Sequence, residues 1–192
     1  DITAVDLFPE FLDILNSRAA ERGVAGRIST LVGSMDKLPF DDEEYDVIWS
    51  EGAVYNMGFE NGIRYWQRFL KPGGILAVSE ITWLAAVRPA DLEEYWKTEY
   101  PAVDTASAKM ELLESSGYVP AGYFFLPERC WIDNYYGPLR NGFTDFLERN
   151  SESAEARGIV ETEESEINLY EKYRDFYSYG FYIGKKQVPH PR

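Results

Sequence analysis

The sequence predicts an α/β fold in which a mostly parallel sheet carries helices on both faces. Short apolar segments alternate with segments whose apolar residues recur at helical spacing throughout the first 80 residues. This alternation is typical of parallel strands joined by crossover helices. Polar residues follow the predicted strands, at the edge where such sheets bind ligands; these residues are Asp6, Ser34, Ser50 and Glu80.

The first predicted strand, residues 2–5, is closed by Asp6. A helix follows, because Pro9 suits a first helical turn and Gly23 a helix end. A second strand covers residues 28–32 and is followed by Gly33-Ser34-Met35-Asp36.

Residues 46–50 are predicted to form a short buried strand, and a loop with Tyr55 and Asn56 follows it. The next helix is expected to keep Lys71 in its last turn, where a cation suits the helix dipole. Pro72-Gly73-Gly74 is expected to stop this helix with type II turn chemistry, before a strand at residues 75–78. The apolar face of the helix comprises Ile63, Trp66, Phe69 and Leu70.

The second half predicts helices at residues 91–100 and 105–116, with Gly117 as the cap of the latter. Strand-like aromatic pieces occupy residues 118–131, and a short helix is expected at 143–147. The acidic stretch 152–166 is consistent with either a solvated helix or a loop. A further helix precedes a last strand at residues 180–184, and neither repeats nor a linker divide the chain, so one domain over residues 1–192 is expected.

Composition narrows the classes of partner. The 192 residues suffice for one substantial core, and the net charge of −14, with 33 acidic against 19 basic residues, disfavours nucleic acids and anionic membranes. A small-molecule partner is expected instead. Cys130 is the only cysteine, and the single histidine, His190, cannot form a His/Cys metal site. No apolar run approaches the roughly 20 residues of a membrane span, and a cytoplasmic location is expected.

An ordered series of motifs carries a resemblance to a known family. Ala4-Val5-Asp6, Leu38-Pro39-Phe40, Tyr45-Asp46-Val47-Ile48 and Phe69-Leu70-Lys71-Pro72-Gly73-Gly74 succeed one another across about 75 residues. This order and spacing resembles the class I S-adenosylmethionine-dependent methyltransferases, in their methyltransferase-11 and ubiquinone/menaquinone-type branch. The resemblance implies a Rossmann-like fold and methyl transfer from S-adenosylmethionine to a nitrogen, oxygen or carbon atom. We also expect the last strand, near Phe181, to run antiparallel.

The resemblance implies a set of cofactor-binding residues. Asp6 matches the carboxylate that accepts hydrogen bonds from the ribose hydroxyls, although a helix cap or solvated turn residue is the alternative. Leu7 and Phe8 could pack on the adenine, and Phe8 could equally be core. The adenine-contacting segment corresponds to Ser34, Met35 and Asp36, and Ser50 also falls on the cofactor side.

The acceptor side is predicted from the loops after two strands. Glu51, Tyr55 and Asn56 are the candidate catalytic residues, with Glu51 either a general base or a complement to the sulfonium cation. Glu51 could also be a surface residue. The candidate substrate-binding residues are Trp83, Arg88, Arg129 and Tyr135, under a cover of aromatic residues at 131–136; surface ion pairing is the alternative for both arginines.

The family's glycine-rich cofactor loop has no counterpart, since no glycine precedes Gly23. In relatives this loop follows a strand that lies centrally in the sheet. We therefore expect the chain to be an N-terminally incomplete part of a longer protein, lacking that strand and loop.

Two other function classes stay open. A nicotinamide-dependent oxidoreductase shares an acid at the same strand end, but the motifs at Leu38-Pro39-Phe40 and Lys71-Pro72-Gly73-Gly74 favour methyl transfer. A non-catalytic binding domain of this fold is the other alternative. The oligomeric state is left open.

Overall fold

The chain folds into two units, Asp1–Glu44 and a larger one from Tyr45 onward. The computed structural model describes residues 1–188, so His190 lies outside the described residues. Each unit has its own sheet. The prediction that residues 1–192 form one domain stays a prediction.

The first unit is a βαβ arrangement. Strand β1 (Ile2–Asp6) pairs in parallel with β2 (Ile28–Val32), with Asp6 opposite Val32. Helix α1 (Pro9–Glu21) connects them through a 3-10 turn at Ala25–Arg27. These elements lie where the sequence predicted them, with proline at the start of the helix.

The second unit carries a five-stranded sheet whose main path is β3-β4-β7-β6, with β5 paired to β4. Its strands are β3 (Tyr45–Ser50), β4 (Leu70–Trp83), β5 (Asp104–Thr105), β6 (Tyr118–Phe125) and β7 (Tyr177–Lys186). Its helices are α2 (Phe59–Trp66), α3 (Ala90–Glu99), α4 (Ala106–Ser115), α5 (Glu128–Trp131), α6 (Gly137–Arg149) and α7 (Ala154–Tyr173).

Strand direction confirms the predicted sheet. β3 and β5 both pair in parallel with β4, whereas β7 pairs antiparallel with β4 and with β6. Only β7 therefore runs against the others among the strands of this sheet within residues 1–188, and it contains the predicted strand near Phe181.

Helices cover both faces of this sheet. On one face, Phe59 of α2 packs edge-on against Tyr182, with ring centroids 5.6 Å apart. On the opposite face, Ile81 and Tyr177 pack with Leu92 of α3 and Tyr170 of α7 in one buried cluster. Successive strand residues point to opposite sides, which explains how one strand serves both layers.

Three local predictions were wrong in detail. The helix α2 ends at Trp66, and Lys71 lies in strand β4, where its Nζ is 2.9 Å from a carboxylate oxygen of Asp46. Gly73 has φ +78°, as a type II turn requires, but this turn is a bulge in β4 rather than a helix end. The strand β3 is not buried within its unit: Trp49 is 65% exposed, because only β4 pairs with it among the described strands.

Strand and helix lengths account for the remaining differences. Glu80 lies inside β4 rather than at its end, although β3 stops pairing with β4 at Val78. The predicted short helix at 143–147 is part of α6, and the acidic stretch is helical in α7. No helix within residues 1–188 is long and apolar enough to cross a membrane.

Candidate active site

One edge of the first unit gathers the predicted cofactor residues of that unit. Because β1 and β2 are parallel, their carboxyl ends meet, and the Gly33 N–H donates to the Asp6 carbonyl oxygen at 2.9 Å. The half-buried Asp6 carboxylate accepts through Oδ1 from the Phe8 N–H at 2.9 Å. This hydrogen bond holds the carboxylate at the strand end. Within residues 1–188, no group is hydrogen-bonded to Asp6 Oδ2.

The side chains that follow Asp6 are open at this edge. Leu7 and Phe8 are 59% and 57% exposed, so Phe8 is not a core residue of the first unit. Its ring contacts Phe11 edge-on, with centroids 6.1 Å apart. Ser34 and Asp36 are exposed, and Met35 is half-buried.

A cavity of about 740 Å³ opens in the second unit, against the sheet face of Ile81 and Tyr177. Pockets of this size accommodate small-molecule ligands. Its lining combines carboxylates with aromatic rings and consists of Glu51, Gly52, Tyr55, Ser79, Glu80, Ile81, Trp96, Tyr100, Leu126, Cys130, Trp131, Tyr135, Tyr136, Glu166, Tyr177, Tyr179 and Phe181.

The loop after β3 forms one wall of the cavity. The Gly52 N–H donates to the Ser79 hydroxyl oxygen at 2.8 Å, which fixes this loop to β4. Glu51 is exposed beside it. The ring of Tyr55 contacts that of Tyr100 edge-on at 6.3 Å.

Glu80 is the most buried acid of the lining, with 1% of its surface exposed. Its Oε1 accepts from the Ile81 N–H at 2.8 Å and its Oε2 from the Tyr100 hydroxyl at 2.9 Å. Burial raises the pKa of Glu80, against the opposing attraction of Lys109. Burial also raises the pKa of Tyr100, and the charge of Glu80 adds to this shift. Tyr100 is therefore a neutral donor to a carboxylate.

Lys109 provides a buried positive charge to this region without lining the cavity. Its Nζ donates to the Ala102 carbonyl oxygen at 2.8 Å and lies 4.7 Å from the centroid of the Phe59 ring. Burial lowers the pKa of Lys109, while Glu80 and Asp104 oppose that shift. Lys109 thus offsets part of the Glu80 charge.

A π-helical turn at Ile132–Tyr136 brings two tyrosines to the cavity from between α5 and α6. Such turns are frequent at functional sites. Glycine at position 137 permits this π-helical turn, because a Cβ there would lie only 2.8 Å from the Ile132 carbonyl oxygen. The Tyr136 hydroxyl donates to Glu166 Oε1 at 2.9 Å. Burial, followed by the charge of Glu166, raises the pKa of Tyr136.

Trp131 is the centre of the aromatic wall. Its ring stacks with Tyr170 at 4.5 Å and with Tyr179 at 5.1 Å between centroids. Its Nε1 donates to the Ser178 hydroxyl at 2.9 Å, so the indole is fixed by both packing and a hydrogen bond.

Comparison with known proteins shows a family match over the first part of the chain. Residues 1–78 match the family model Methyltransf_11, described as a methyltransferase domain. Over 83 residues the chain is 34% identical to the ubiquinone/menaquinone biosynthesis C-methyltransferase UbiE of Azotobacter vinelandii, which is 43% of this chain and 33% of that protein. The chain thus spans about a third of the length of the curated relatives it matches. Residues 1–78 therefore resemble the methyltransferase domain of this family.

Solved structures with the same fold extend over nearly the whole chain. A methyltransferase of Geobacter sulfurreducens in complex with S-adenosylhomocysteine matches with a TM-score of 0.80 and 22% identity, over 99% of this chain and 75% of that one. The [4+2]-cyclase SpnF matches with a TM-score of 0.76 and 23% identity, over 98% and 67%. The predicted Rossmann-like class I fold is confirmed.

Within this methyltransferase fold, the predicted acceptor residues divide into two groups. Glu51, Tyr55 and Tyr135 line the cavity, as do Trp131 and Tyr136 of the predicted aromatic cover. Ser50 is half-buried at the end of β3, immediately before the cavity wall.

The other predicted acceptor residues do not line the cavity described above. Asn56 donates its side-chain amide to the Ala53 carbonyl oxygen. Trp83 packs edge-on against Tyr177 as part of the core.

The two arginines are likewise not part of the cavity lining. Arg88 pairs with Glu93 at 2.8 Å and lies over the Trp83 ring at 4.6 Å, and its role in substrate binding stays a prediction. Arg129 is exposed on α5.

Several lining residues give no sequence signal of function. Glu80 stands out in the sequence only as a polar residue after a predicted strand. The others come from separate elements that meet only in the fold, and no spacing links them; they are Trp96, Tyr100, Glu166, Tyr177 and Tyr179.

Proposed function

We propose that the protein transfers a methyl group from S-adenosylmethionine to a small-molecule acceptor by in-line displacement. The proposal depends chiefly on the Asp6 carboxylate, which is held at an open strand end within the residues that match the methyltransferase domain. Bound S-adenosylmethionine would supply an electrophilic methyl group on a sulfonium sulfur. The net charge of −14 supports a small-molecule acceptor rather than a nucleic acid.

The first unit fits the nucleoside part of this cofactor. Asp6 Oδ1 is engaged by the Phe8 N–H, and Oδ2 is left to accept from ribose hydroxyls. Leu7 and Phe8 offer exposed apolar surface to the adenine, with the segment Ser34-Met35-Asp36 at the same edge. Ser50 is proposed as a further cofactor contact.

The cavity of the second unit is proposed to receive the acceptor. Glu51 and Tyr55 would orient it, and Tyr135 would cover it. Catalysis would come mainly from positioning, with a base required only if the acceptor must lose a proton.

Proteins with this fold can have functions other than methyl transfer. One structural neighbour is named a cyclase, so the fold alone does not set the reaction. A nicotinamide-dependent oxidoreductase and a non-catalytic binding domain are the other two classes.

Titration calorimetry with S-adenosylhomocysteine and with NAD separates these classes at the binding step. We expect S-adenosylhomocysteine to bind and NAD not to bind. The substitution Asp6→Ala should weaken S-adenosylhomocysteine binding by about 2–4 kcal/mol, since it removes two charge-assisted hydrogen bonds.

The matched control is Asp13→Ala, which removes an exposed carboxylate from α1 of the same unit. It should leave the affinity unchanged. Equal affinities of the wild type and the Asp6→Ala variant would remove Asp6 from the site, and NAD binding alone would replace the proposal by the oxidoreductase. Cofactor binding with no methylated product from any acceptor would favour a binding domain.

A further inference from the structure

The cavity of the second unit carries negative charge and aromatic faces together. Glu51, Glu80 and Glu166 all line it, and the described lining contains no lysine, arginine or histidine. Lys109, which does not line the cavity, offsets part of the charge of Glu80. Glu166 accepts a hydrogen bond from neutral Tyr136, and no basic residue within residues 1–188 forms an ion pair with it.

Aromatic rings surround these carboxylates. Tyr135 is 50% exposed and lies 5.0 Å from Tyr136 between ring centroids, whereas Trp131 stacks with both Tyr170 and Tyr179 and supports this wall. Rings of this kind attract cations through their electron-rich faces. Carboxylates and aromatic faces in one cavity therefore favour the same type of ligand.

Two buried polar atoms of the lining lack partners. The hydroxyl of Tyr177, a residue with 1% of its surface exposed, and the Nε1 of Trp96 have no hydrogen-bond partner within residues 1–188. Both side chains line the cavity, and their rings lie 5.1 Å apart. A buried donor without a partner is costly, so these groups point to a ligand oxygen that accepts from them.

We propose that this cavity binds a small cationic amine that also carries a hydroxyl or carbonyl oxygen. The ammonium group would lie among Glu51, Glu166 and the aromatic rings, and the oxygen would accept from Tyr177 and Trp96. That this amine is the methyl acceptor rests on the proposed function. The binding itself does not.

Other acceptor classes fit this lining less well. A purely apolar acceptor would cover Glu166 without supplying a counter-charge, which is costly for a carboxylate removed from water. It would also leave the Tyr177 and Trp96 donors unpaired. An anionic acceptor would be repelled by Glu51 and Glu166.

The test uses choline and its uncharged carbon analogue, in which a tert-butyl group replaces the trimethylammonium group. Both have the same shape and hydroxyl, so the difference between them isolates the charge. In titrations of the protein by nuclear magnetic resonance or calorimetry without cofactor, choline should bind about tenfold more tightly. Equal affinities, or no binding of choline, would overturn the proposal.

Substitutions assign this binding to the cavity. Glu166→Gln keeps an oxygen that can accept from Tyr136 and should weaken choline binding about tenfold. The control Glu161→Gln removes an exposed charge from the same helix and should change it less than about twofold. Equal effects of both substitutions would mean that only long-range charge attracts choline, against the proposal. Thermal unfolding of each variant without ligand verifies the fold.

Tyr177→Phe separates a ligand contact from a structural role. Removing an unpartnered buried hydroxyl should leave the unliganded protein as stable or more stable. Choline binding should nevertheless fall roughly threefold to tenfold, because the ligand oxygen loses a donor. Unchanged choline binding would contradict the part of the proposal that concerns the ligand oxygen.

A competition experiment distinguishes the acceptor from the cofactor, which is itself cationic. S-adenosylhomocysteine should bind together with choline. If it displaces choline competitively, the cation site belongs to the cofactor and the acceptor assignment fails. Choline binding without cofactor binding would instead leave the cavity assignment intact and refute the proposed methyl transfer.

Discussion

The two units differ in how they form a site. The first unit fully buries only Leu12 and Ala19 among its apolar residues within residues 1–44, and it leaves Leu7, Phe8 and Phe11 more than half exposed. Its candidate site is an open surface at the carboxyl ends of β1 and β2. The second unit buries a large aromatic cluster around Trp131, and its site is a cavity lined by side chains.

The family match follows the same division. The methyltransferase domain model covers residues 1–78, and of the described cavity lining only Glu51, Gly52 and Tyr55 fall within it. Motifs in residues 1–78 therefore indicate the cofactor, because the members of the matched family share it. The acceptor must be inferred from side chains beyond the match, because no family motif covers them.

The largest expected difference between the units concerns their stability. Trp131→Ala should destabilise the protein by about 3–5 kcal/mol, because it leaves a cavity between Tyr170 and Tyr179 and removes the bond to Ser178. Leu12→Ala should cost about 2 kcal/mol, near the lower end for such substitutions, since the core of the first unit is thin. Urea denaturation measures both. A larger loss of stability from Leu12→Ala than from Trp131→Ala would contradict the view that the first unit has the thinner core.

Much of the fold followed from local signals in the sequence. Pro9 marked the start of α1, and Gly117, with φ +84°, marked the end of α4. The helix predicted up to Lys71 was wrong because Leu70 continues the apolar helical spacing, whereas in the fold it pairs with Tyr45. Local periodicity cannot register a pairing between residues so far apart along the chain.

The candidate site was predictable only in part, for the same reason. Asp6 and Glu51 lie at the ends of predicted strands, so their position at a sheet edge could be inferred from sequence order. Glu166 and Tyr177 reach the cavity from α7 and β7, and only long-range packing places them near Glu51. Arg88 was a candidate substrate-binding residue with surface ion pairing as the alternative, and the sequence could not show that Glu93 and the Trp83 ring would hold it.

A smaller effect should appear in the pH dependence of the second unit. Burial raises the pKa of Glu80 above its ordinary value of 4.5, so in the pH range between the two pKa values the folded state retains a proton that the unfolded state has lost. The Glu80 contribution to stability therefore falls as pH rises above about 4.5, by at most about 1.4 kcal/mol per pH unit for one proton. Relative to the wild type, Glu80→Gln should lose less stability between acidic and neutral pH.

Denaturation of both proteins at a series of pH values checks this sign. The side-chain amide introduced by Glu80→Gln can accept from the Ile81 N–H and donate to the Tyr100 hydroxyl, so the local bonds can be retained. Parallel stability profiles of the two proteins would show that the pKa of Glu80 is not raised in the folded state.

The smallest expected effect concerns Glu51, the candidate catalytic residue at the cavity wall. It is exposed, so water screens its charge, and an interaction with a sulfonium should contribute up to about 1 kcal/mol. Glu51→Gln should therefore weaken S-adenosylmethionine slightly more than S-adenosylhomocysteine, because only the former carries the sulfonium charge. Glu111→Gln, which neutralises an exposed residue of α4, is the control and should not discriminate between the two ligands. Calorimetry with both ligands measures the difference.

A large loss of turnover with unchanged discrimination between the two ligands would instead identify Glu51 as a general base, since a base acts on the acceptor proton and not on the cofactor. Negligible effects on both ligands and on turnover would mean that Glu51 is a surface residue, and the carboxylates that act on the acceptor would then lie deeper in the cavity.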